Sequence, residues 1–206
     1  MDILIATKNP GKFTEIAEIL GDFDVCFLSL KDLGIEDDFE ETGATFEENA
    51  LGKARFYAAL SGLPTVSDDS GLFVEALKDE LGLKTRRWGA GESASDEDWL
   101  NFFMERMLNE QDRRAKFVCA AAIVSPDGEH VFLGETCGYI TREPETEVYE
   151  GIPLSSVFKP EGCDRVYTAL SVEEKNRLSH RGAAFAKLIS HLIDSGVNYG
   201  EKSGSS

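Results

Sequence analysis

The turn at residues 7–12 constrains the fold of this chain more than any other feature, because it joins a strand pattern directly to a helix pattern. The apolar run at residues 3–6 predicts a buried strand, and apolar residues at helical spacing from Phe13 to Leu20 predict an amphipathic helix. A strand-to-helix turn gathers free backbone N–H groups and the positive end of the helix dipole. The chain is therefore expected to begin as an α/β fold with an anion-binding turn.

The side chains of this turn suit a polyphosphate ligand. Gly11 lets the backbone come close to a ligand, and Lys12 adds a point charge to the backbone donors. The spacing differs from that of a Walker A loop, which ends in Gly-Lys-Ser/Thr. An ordinary connection with Asn-Pro-Gly turn residues is the alternative. The candidate substrate-binding residues of the turn are Thr7, Lys8, Asn9, Pro10, Gly11 and Lys12.

Composition indicates one soluble globular domain. With 206 residues, 42% hydrophobic and 29% charged, the chain can bury a substantial core without disulfides. Residues 1–196 are predicted to form this domain, and the polar tail at 197–206 is predicted to be disordered. The sequence has neither a run long enough to span a membrane nor a signal-peptide pattern at its start, so we expect no membrane partner and a cytoplasmic location.

The net charge of −17 argues against nucleic acid as a partner, because phosphate backbones require basic surfaces. Residues 32–52 contain eight acidic residues and neither lysine nor arginine. Such a cluster is usually a solvated face. Part of it could instead hold Mg²⁺, which would carry the negative charge of a nucleotide into the site.

Strand and helix patterns alternate at first, become strand-rich in the middle and end helical, which predicts an α/β fold with a mixed sheet. Helices are expected to begin after the N-cap candidates Thr45, Ser95, Ser171 and Ser179. Residues 125–128 carry a type I turn signature and predict a hairpin. Strands are expected at residues 25–29, 64–67, 116–124, 129–135 and 137–142.

The short strand at 64–67 is expected to deliver the pair Asp68 and Asp69 at its carboxyl end, where ligands bind in open α/β sheets. A positioned carboxylate there could act as a general base. A turn or helix cap is the alternative reading of two adjacent acids.

Five stretches in this order and spacing resemble the inosine/xanthosine triphosphate pyrophosphatase family, the Ham1-like house-cleaning nucleotide hydrolases. The resemblance covers about residues 1–195. It implies a twisted mixed sheet with flanking helices and two lobes around a central nucleotide cleft. The stretches are the turn at 7–12, Glu40-Glu41-Thr42-Gly43, Asp68-Asp69-Ser70-Gly71, Glu174-Lys175-Asn176 and Ser179-His180-Arg181-Gly182.

The resemblance also implies an activity, which is Mg²⁺-dependent hydrolysis of ITP, dITP or XTP to the nucleoside monophosphate and pyrophosphate by a homodimer. Asp69 would be a metal ligand and the catalytic base, and Glu40 the second metal ligand. Lys12 and Lys53 would neutralise the triphosphate during catalysis. Ser70 would contact the substrate.

Further residues are placed near the substrate by the same resemblance. Lys175, His180 and Arg181 would surround the base, and Arg87 would lie near the substrate. A lone histidine is more often structural, but His180 stands at a helix N-terminus beside an arginine. There it could read a purine carbonyl or a phosphate.

One stretch departs from the family pattern. The family has Gly-Phe-Gly-Tyr/Trp-Asp-Pro before a Pro-Glu/Asp-Gly turn, whereas residues 151–156 of this chain read GIPLSS and Pro160-Glu161-Gly162 remains. Ile152 and Leu154 offer no aromatic face to a base, so we expect keto bases to be favoured by a smaller margin than is usual in the family. Two alternatives stay open, the same hydrolysis on another nucleotide, as in the Maf-like pyrophosphatases, and a nucleotide-binding regulator without turnover.

Overall fold

The computed structural model describes residues 2–21, 25–78, 80–85, 88–91 and 93–197. Within these residues, six strands form one sheet and five α-helices flank it. The strands are β1 (Asp2–Ile5), β2 (Cys26–Ser29), β3 (Thr65–Val74), β4 (Arg114–Ser125), β5 (Gly128–Ile140) and β6 (Phe158–Pro160). The helices are α1 (Pro10–Leu20), α2 (Phe46–Ser61), α3 (Asp96–Arg106), α4 (Val172–Leu178) and α5 (His180–Asp194).

The sheet has the order β2-β1-β3-β4-β5-β6 and is mixed. Strand β1 runs parallel to both β2 and β3, whereas β3, β4, β5 and β6 are antiparallel neighbours. The predicted α/β class with a mixed sheet and flanking helices is confirmed. The predicted hairpin is confirmed as well, since Ser125 faces Gly128 at the tip of β4 and β5.

Two strand predictions were wrong in length. Strand β3 does not end before Asp68 but continues to Val74, because it gains a second long partner in β4. Strand β5 is continuous from Gly128 to Ile140, so the strands predicted at 129–135 and 137–142 are one element. In both places cross-strand pairing, which a local pattern does not contain, carries the strand through a polar or glycine-containing stretch.

The predicted helix starts are confirmed by capping hydrogen bonds. The side chains of Thr45, Ser95, Ser171 and Ser179 each accept a bond from a backbone N–H in the first turn of the following helix. Such caps satisfy N–H groups that have no partner within the helix. Among the described residues, no helix is both long and apolar enough to cross a membrane. The tail prediction falls on 197–206, of which 198–206 lie outside the described residues.

The apolar core is divided into clusters. One cluster joins α3 to the far ends of β3, β4 and β5 and includes Trp99, Phe117 and Tyr167. A second packs α1 and α5 against β1 and the near ends of β3 and β4. A smaller one lies between β1 and α2 and includes Tyr57. Residues from the first and the third of these line one cleft, which therefore separates two parts of the core.

Candidate active site

The cleft has a volume of about 380 Å³ and opens beyond the end of β1. Strand β3 pairs with β1 only at Thr65 and Val66 and then runs on, so Asp68 and Asp69 lie just past the end of β1. The acidic pair is therefore central in β3. The prediction that it lies at the end of a strand was wrong. The predicted site residues that line the cleft are Thr7, Lys8, Asn9, Lys12, Lys53, Asp69, Ser70, Lys175, His180 and Arg181.

Three other predicted site residues lie apart from the cleft wall. Within the described residues, Pro10, Gly11 and Glu40 do not line it. Pro10 is the first residue of α1, and Gly11 is buried under a neighbouring segment, since a Cβ there would lie 2.5 Å from the carbonyl oxygen of Glu150. Arg87 lies outside the described residues.

Asn9 builds the turn at the start of α1. Its Oδ1 accepts the backbone N–H of Lys12 at 3.0 Å, which caps the helix, and its Nδ2 donates to the carbonyl of Gly151 at 2.7 Å. Thr7 Oγ1 accepts the Asn9 N–H at 3.2 Å. The turn is thereby held in shape by its own side chains, with the N-terminus of α1 at the cleft.

Asp68 is fully buried and forms ion pairs with two cations. Its Oδ2 lies 3.2 Å from Lys12 Nζ and 3.0 Å from a terminal nitrogen of Arg181. Burial alone would raise the pKa of Asp68, but the charges of Lys12, Arg181 and Lys53 outweigh it and hold the pKa well below its usual range. Asp68 is therefore a fixed anion that positions cations, and it is unsuited to take up a proton.

Asp69 has the opposite electrostatic character. Its Oδ2 accepts Nδ2 of Asn49 at 2.9 Å and its Oδ1 accepts the Ser70 N–H at 2.8 Å. Burial raises the pKa of Asp69 above its usual range; Lys12 opposes this rise and the charge of Glu41 adds to it. Of the two acids, Asp69 is thus the one that lines the cleft and has a raised pKa, which favours the role of a general base.

Glu41, and not Glu40, reaches the cleft from the acidic segment. Glu41 Oε1 accepts Lys53 Nζ at 2.6 Å, whereas Glu40 is exposed. Burial would lower the pKa of Lys53, but the surrounding carboxylates, led by Glu41 and Asp68, raise it, so this lysine stays charged. The ion pair with Lys53 holds the Glu41 carboxylate at the cleft.

Arg181 lines the cleft and is buried between two acids. Its guanidinium donates to Asp68 and Glu15 and also to Ser70 Oγ at 3.1 Å. Glu15 in turn pairs with Lys175. His180 and Lys175 line the cleft beside Arg181, which also links β3 to α1 through Asp68 and Glu15.

The other end of the cleft is apolar and aromatic. The His180 ring stacks on Phe117 with centroids 4.6 Å apart, and Tyr167 lies beside both. Burial lowers the pKa of His180 well below its usual value, and the charge of Arg181 lowers it further, so the imidazole is neutral. Its buried Nδ1 has no hydrogen-bond partner among the described residues. Trp99 and residues 151–155 complete this wall.

The cleft offers few side-chain ligands for a divalent cation. In the part of the chain that the structure describes, no group of three or more His, Cys, Asp or Glu side chains is placed to hold a metal ion. Mg²⁺, however, needs only one or two carboxylates when substrate phosphates and water complete its shell. Asp69 and Glu41 both line the cleft, and each is close enough to the other for its charge to matter. These two residues fit such a sparse ligand set.

Several residues that line the cleft or support its wall were missed by sequence reasoning. Helical spacing could have indicated two of them. Glu15 follows Lys12 by three residues, and Asn49 precedes Lys53 by four, so each shares a helix face with a predicted site lysine. Glu41 was passed over in favour of its neighbour. The aromatic wall of Phe117, Tyr167 and Trp99 comes from three distant elements, and no local pattern links them.

Taken together, the fold and the cleft define an α/β protein with a nucleotide-sized site, cationic and acidic at one end and aromatic at the other. The chain belongs to the Ham1 family, whose model matches residues 3–191. This confirms the resemblance found in the sequence.

Its curated relatives span almost the whole chain. The dITP/XTP pyrophosphatase of Streptomyces avermitilis is 40% identical over 192 residues, which cover 91% of this chain and 94% of that protein. The dITP/XTP pyrophosphatase of Aquifex aeolicus is 37% identical over 201 residues, with 94% and 96% covered.

Solved structures agree with the fold. The Staphylococcus aureus Ham1 protein matches with a TM-score of 0.78 and 34% identity over 95% of this chain and all of that one. A nucleoside-triphosphatase / dITP/XTP pyrophosphatase from Mycobacterium abscessus matches with a TM-score of 0.65 and 38% identity, covering 92% and 99%.

Proposed function

We propose that this protein hydrolyses non-canonical purine nucleoside triphosphates (ITP, dITP and XTP) to the nucleoside monophosphate and pyrophosphate, and so clears them from the nucleotide pool. One observation carries the proposal. A single cleft combines lysines and carboxylates suited to a triphosphate with an aromatic wall suited to a base. The dITP/XTP pyrophosphatases among its relatives support the choice of substrate.

The proposed chemistry begins with Asp69. Its raised pKa allows it to take a proton from water as the water oxygen attacks the α-phosphorus. The bond between the α-phosphorus and the bridging oxygen breaks, and pyrophosphate leaves with the electron pair. Lys12 and Lys53 lie at the same end of the cleft, where their charges stabilise the charge that develops on the phosphates.

The cofactor proposed is Mg²⁺, held by Asp69 and Glu41 together with substrate phosphates. When bound, the ion would supply charge neutralisation to a triphosphate entering a protein of net charge −17. The assignment of Glu40 that the resemblance implied is replaced by Glu41, since Glu40 is exposed. Asn49 supports the arrangement by donating to Asp69 at 2.9 Å, which orients the carboxylate.

Base selection is assigned to the aromatic end. Residues 151–156 bring no aromatic side chain, yet Phe117, Tyr167 and Trp99 line the same wall and supply apolar contact for a purine. Neutral His180 and charged Lys175 are the polar groups that could read a keto base. A site that hydrogen-bonds a carbonyl rejects an amino base, because a buried polar group left unpaired is costly.

The proposal also includes a cytoplasmic location, no nucleic-acid partner and a homodimeric state. The acidic surface supports the second of these, because phosphate backbones repel it. The family resemblance supports the dimer. Sedimentation of the purified protein over a range of concentrations tests the dimer directly, and a monomer at all concentrations would contradict it.

The decisive experiment is a nucleotide panel with Mg²⁺ in ¹⁸O-labelled water. We expect pyrophosphate release from ITP, dITP and XTP, with the label in the monophosphate because the α-phosphorus is attacked. We expect less release from ATP, by a margin smaller than is usual in the family. Label in pyrophosphate or release of inorganic phosphate would contradict the mechanism. Binding without turnover would support a regulator, and preferential hydrolysis of a different nucleotide would support the Maf-like alternative.

A further inference from the structure

A turn outside the predicted site contacts the turn at residues 7–12, which we call the phosphate-binding turn. We call residues 149–152 the strap; its own hydrogen bond runs from the Ile152 N–H to the Tyr149 carbonyl at 3.1 Å. Gly151, within it, has a φ of +80°, a left-handed conformation that favours glycine. The contact is tight, because a Cβ on Gly151 would overlap the side chain of Asn9.

Both backbone polar groups of Gly151 are used across the chain. Its carbonyl accepts Asn9 Nδ2 at 2.7 Å, and its N–H donates to Asp96 Oδ2 at 2.6 Å. Asn9 then accepts the Lys12 N–H at 3.0 Å. The result is a series of hydrogen bonds from the Asp96 carboxylate, through the backbone of Gly151 and the Asn9 side-chain amide, to the N-terminus of α1.

The series joins two separately packed parts of the molecule. Helix α3, which begins with Asp96, packs in the core cluster that contains Trp99 and Leu154. Helix α1 packs in the cluster that contains Ile16 and Leu20. The strap crosses from one part to the other. Its last residue, Ile152, and the residues that follow it, 153–155, line the aromatic end of the cleft.

We propose that Asp96 is a positioning residue, which holds the strap through Gly151 and thereby fixes Asn9 and the donors of the phosphate-binding turn. Asp96 acts through Gly151 and Asn9 and has no contact with the reacting atoms in this role. Its effect is on affinity for the polyphosphate, because it orients the N-terminus of α1 before the ligand arrives. The turnover part of this inference rests on the proposed function, whereas the binding part does not.

The test measures tripolyphosphate binding by calorimetry in Mg²⁺ buffer, and KM and kcat for dITP, in matched variants. Glu97→Ala is the control, because Glu97 is exposed and this substitution removes the same charge from the first turn of α3. For Asp96→Ala we expect about tenfold weaker tripolyphosphate binding and a KM about tenfold higher, the size of a lost charged hydrogen bond. We expect kcat to stay within about twofold. Asp96→Asn should restore part of the affinity, because its amide oxygen can still accept the Gly151 N–H.

Identical behaviour of Asp96→Ala and Glu97→Ala would overturn the proposal, as would a lower kcat with unchanged KM. Equal affinity losses in Asp96→Asn and Asp96→Ala would assign the effect to charge alone and also overturn it. Circular dichroism verifies folding, and if Asp96→Ala does not fold, Asp96→Asn against Glu97→Gln makes the same comparison. A wild-type protein that binds tripolyphosphate but hydrolyses no nucleotide would contradict the proposed function and leave the binding comparison valid.

Discussion

The two ends of the cleft differ in the groups that they present. At the phosphate end, three lysines form ion pairs with carboxylates. At the base end, the wall is apolar and aromatic, and the buried Nδ1 of His180 has no hydrogen-bond partner among the described residues. The matched pairs of the phosphate end are Lys8–Asp38, Lys12–Asp68 and Lys53–Glu41.

This difference separates rate from selectivity. Charges that are fixed in advance need little reorganisation when negative charge develops, so the phosphate end is suited to accelerate chemistry on any triphosphate. A polar side chain in an apolar wall discriminates between ligands that can and cannot pair with it, so the base end is suited to discriminate. Changes at the two ends should therefore produce different kinetic signatures.

The largest effect is expected at the phosphate end from Asp69→Asn. The amide cannot accept the proton of water, so kcat should fall by about 10²-fold or more while folding and nucleotide binding persist. Pyrophosphate release and nucleotide titration measure the two properties. Retention of more than about a tenth of kcat would remove Asp69 from the chemistry.

The metal site is tested by a neighbouring pair of acids, Glu41→Gln and Glu40→Gln. The first should raise the Mg²⁺ concentration for half-maximal rate by about tenfold, since Glu41 faces the cleft, and the second should leave it unchanged. Rate against Mg²⁺ concentration is the measurement. The reverse ranking would restore the assignment of Glu40 that the family resemblance implied. Equal effects would indicate that both acids act only through the overall negative field of the acidic segment.

At the base end, His180→Phe keeps a ring against Phe117 and removes the ring nitrogens. We expect the ratio of kcat/KM for ITP over ATP to fall about fivefold, the size of one neutral hydrogen bond, with kcat for ITP little changed. If kcat falls and the ratio does not, the comparison between the two ends fails.

The smallest effect concerns pH. Burial and the charge of Glu41 raise the pKa of Asp69, and the base must be ionised, so kcat/KM should decline on the acid side at a pH above the usual aspartate value of 3.8. Glu41→Gln removes a neighbouring negative charge, which lowers the pKa of Asp69 and should move this decline to lower pH. A pH profile of both proteins checks the sign, and a shift to higher pH would contradict it.

Much of this site could be predicted from the sequence, because its parts lie in short motifs. The turn at 7–12, the helix caps and the pair Asp68 and Asp69 each depend on a few consecutive residues, and local rules for caps and turns apply to them. The pair itself was expected at a strand end, however, since the sequence does not show that β4 pairs with the whole of β3.

Residue types and spacing thus determined the α/β class, the charged turn and the acids available for catalysis. Only the tertiary structure decided that Glu41 rather than Glu40 faces inward, that Arg181 is held by Glu15 and Asp68, and that Phe117, Tyr167 and Trp99 form one wall. These outcomes depend on which distant segments pack together. A local motif leaves several side chains equivalent, and burial and charge pairing across the fold select among them.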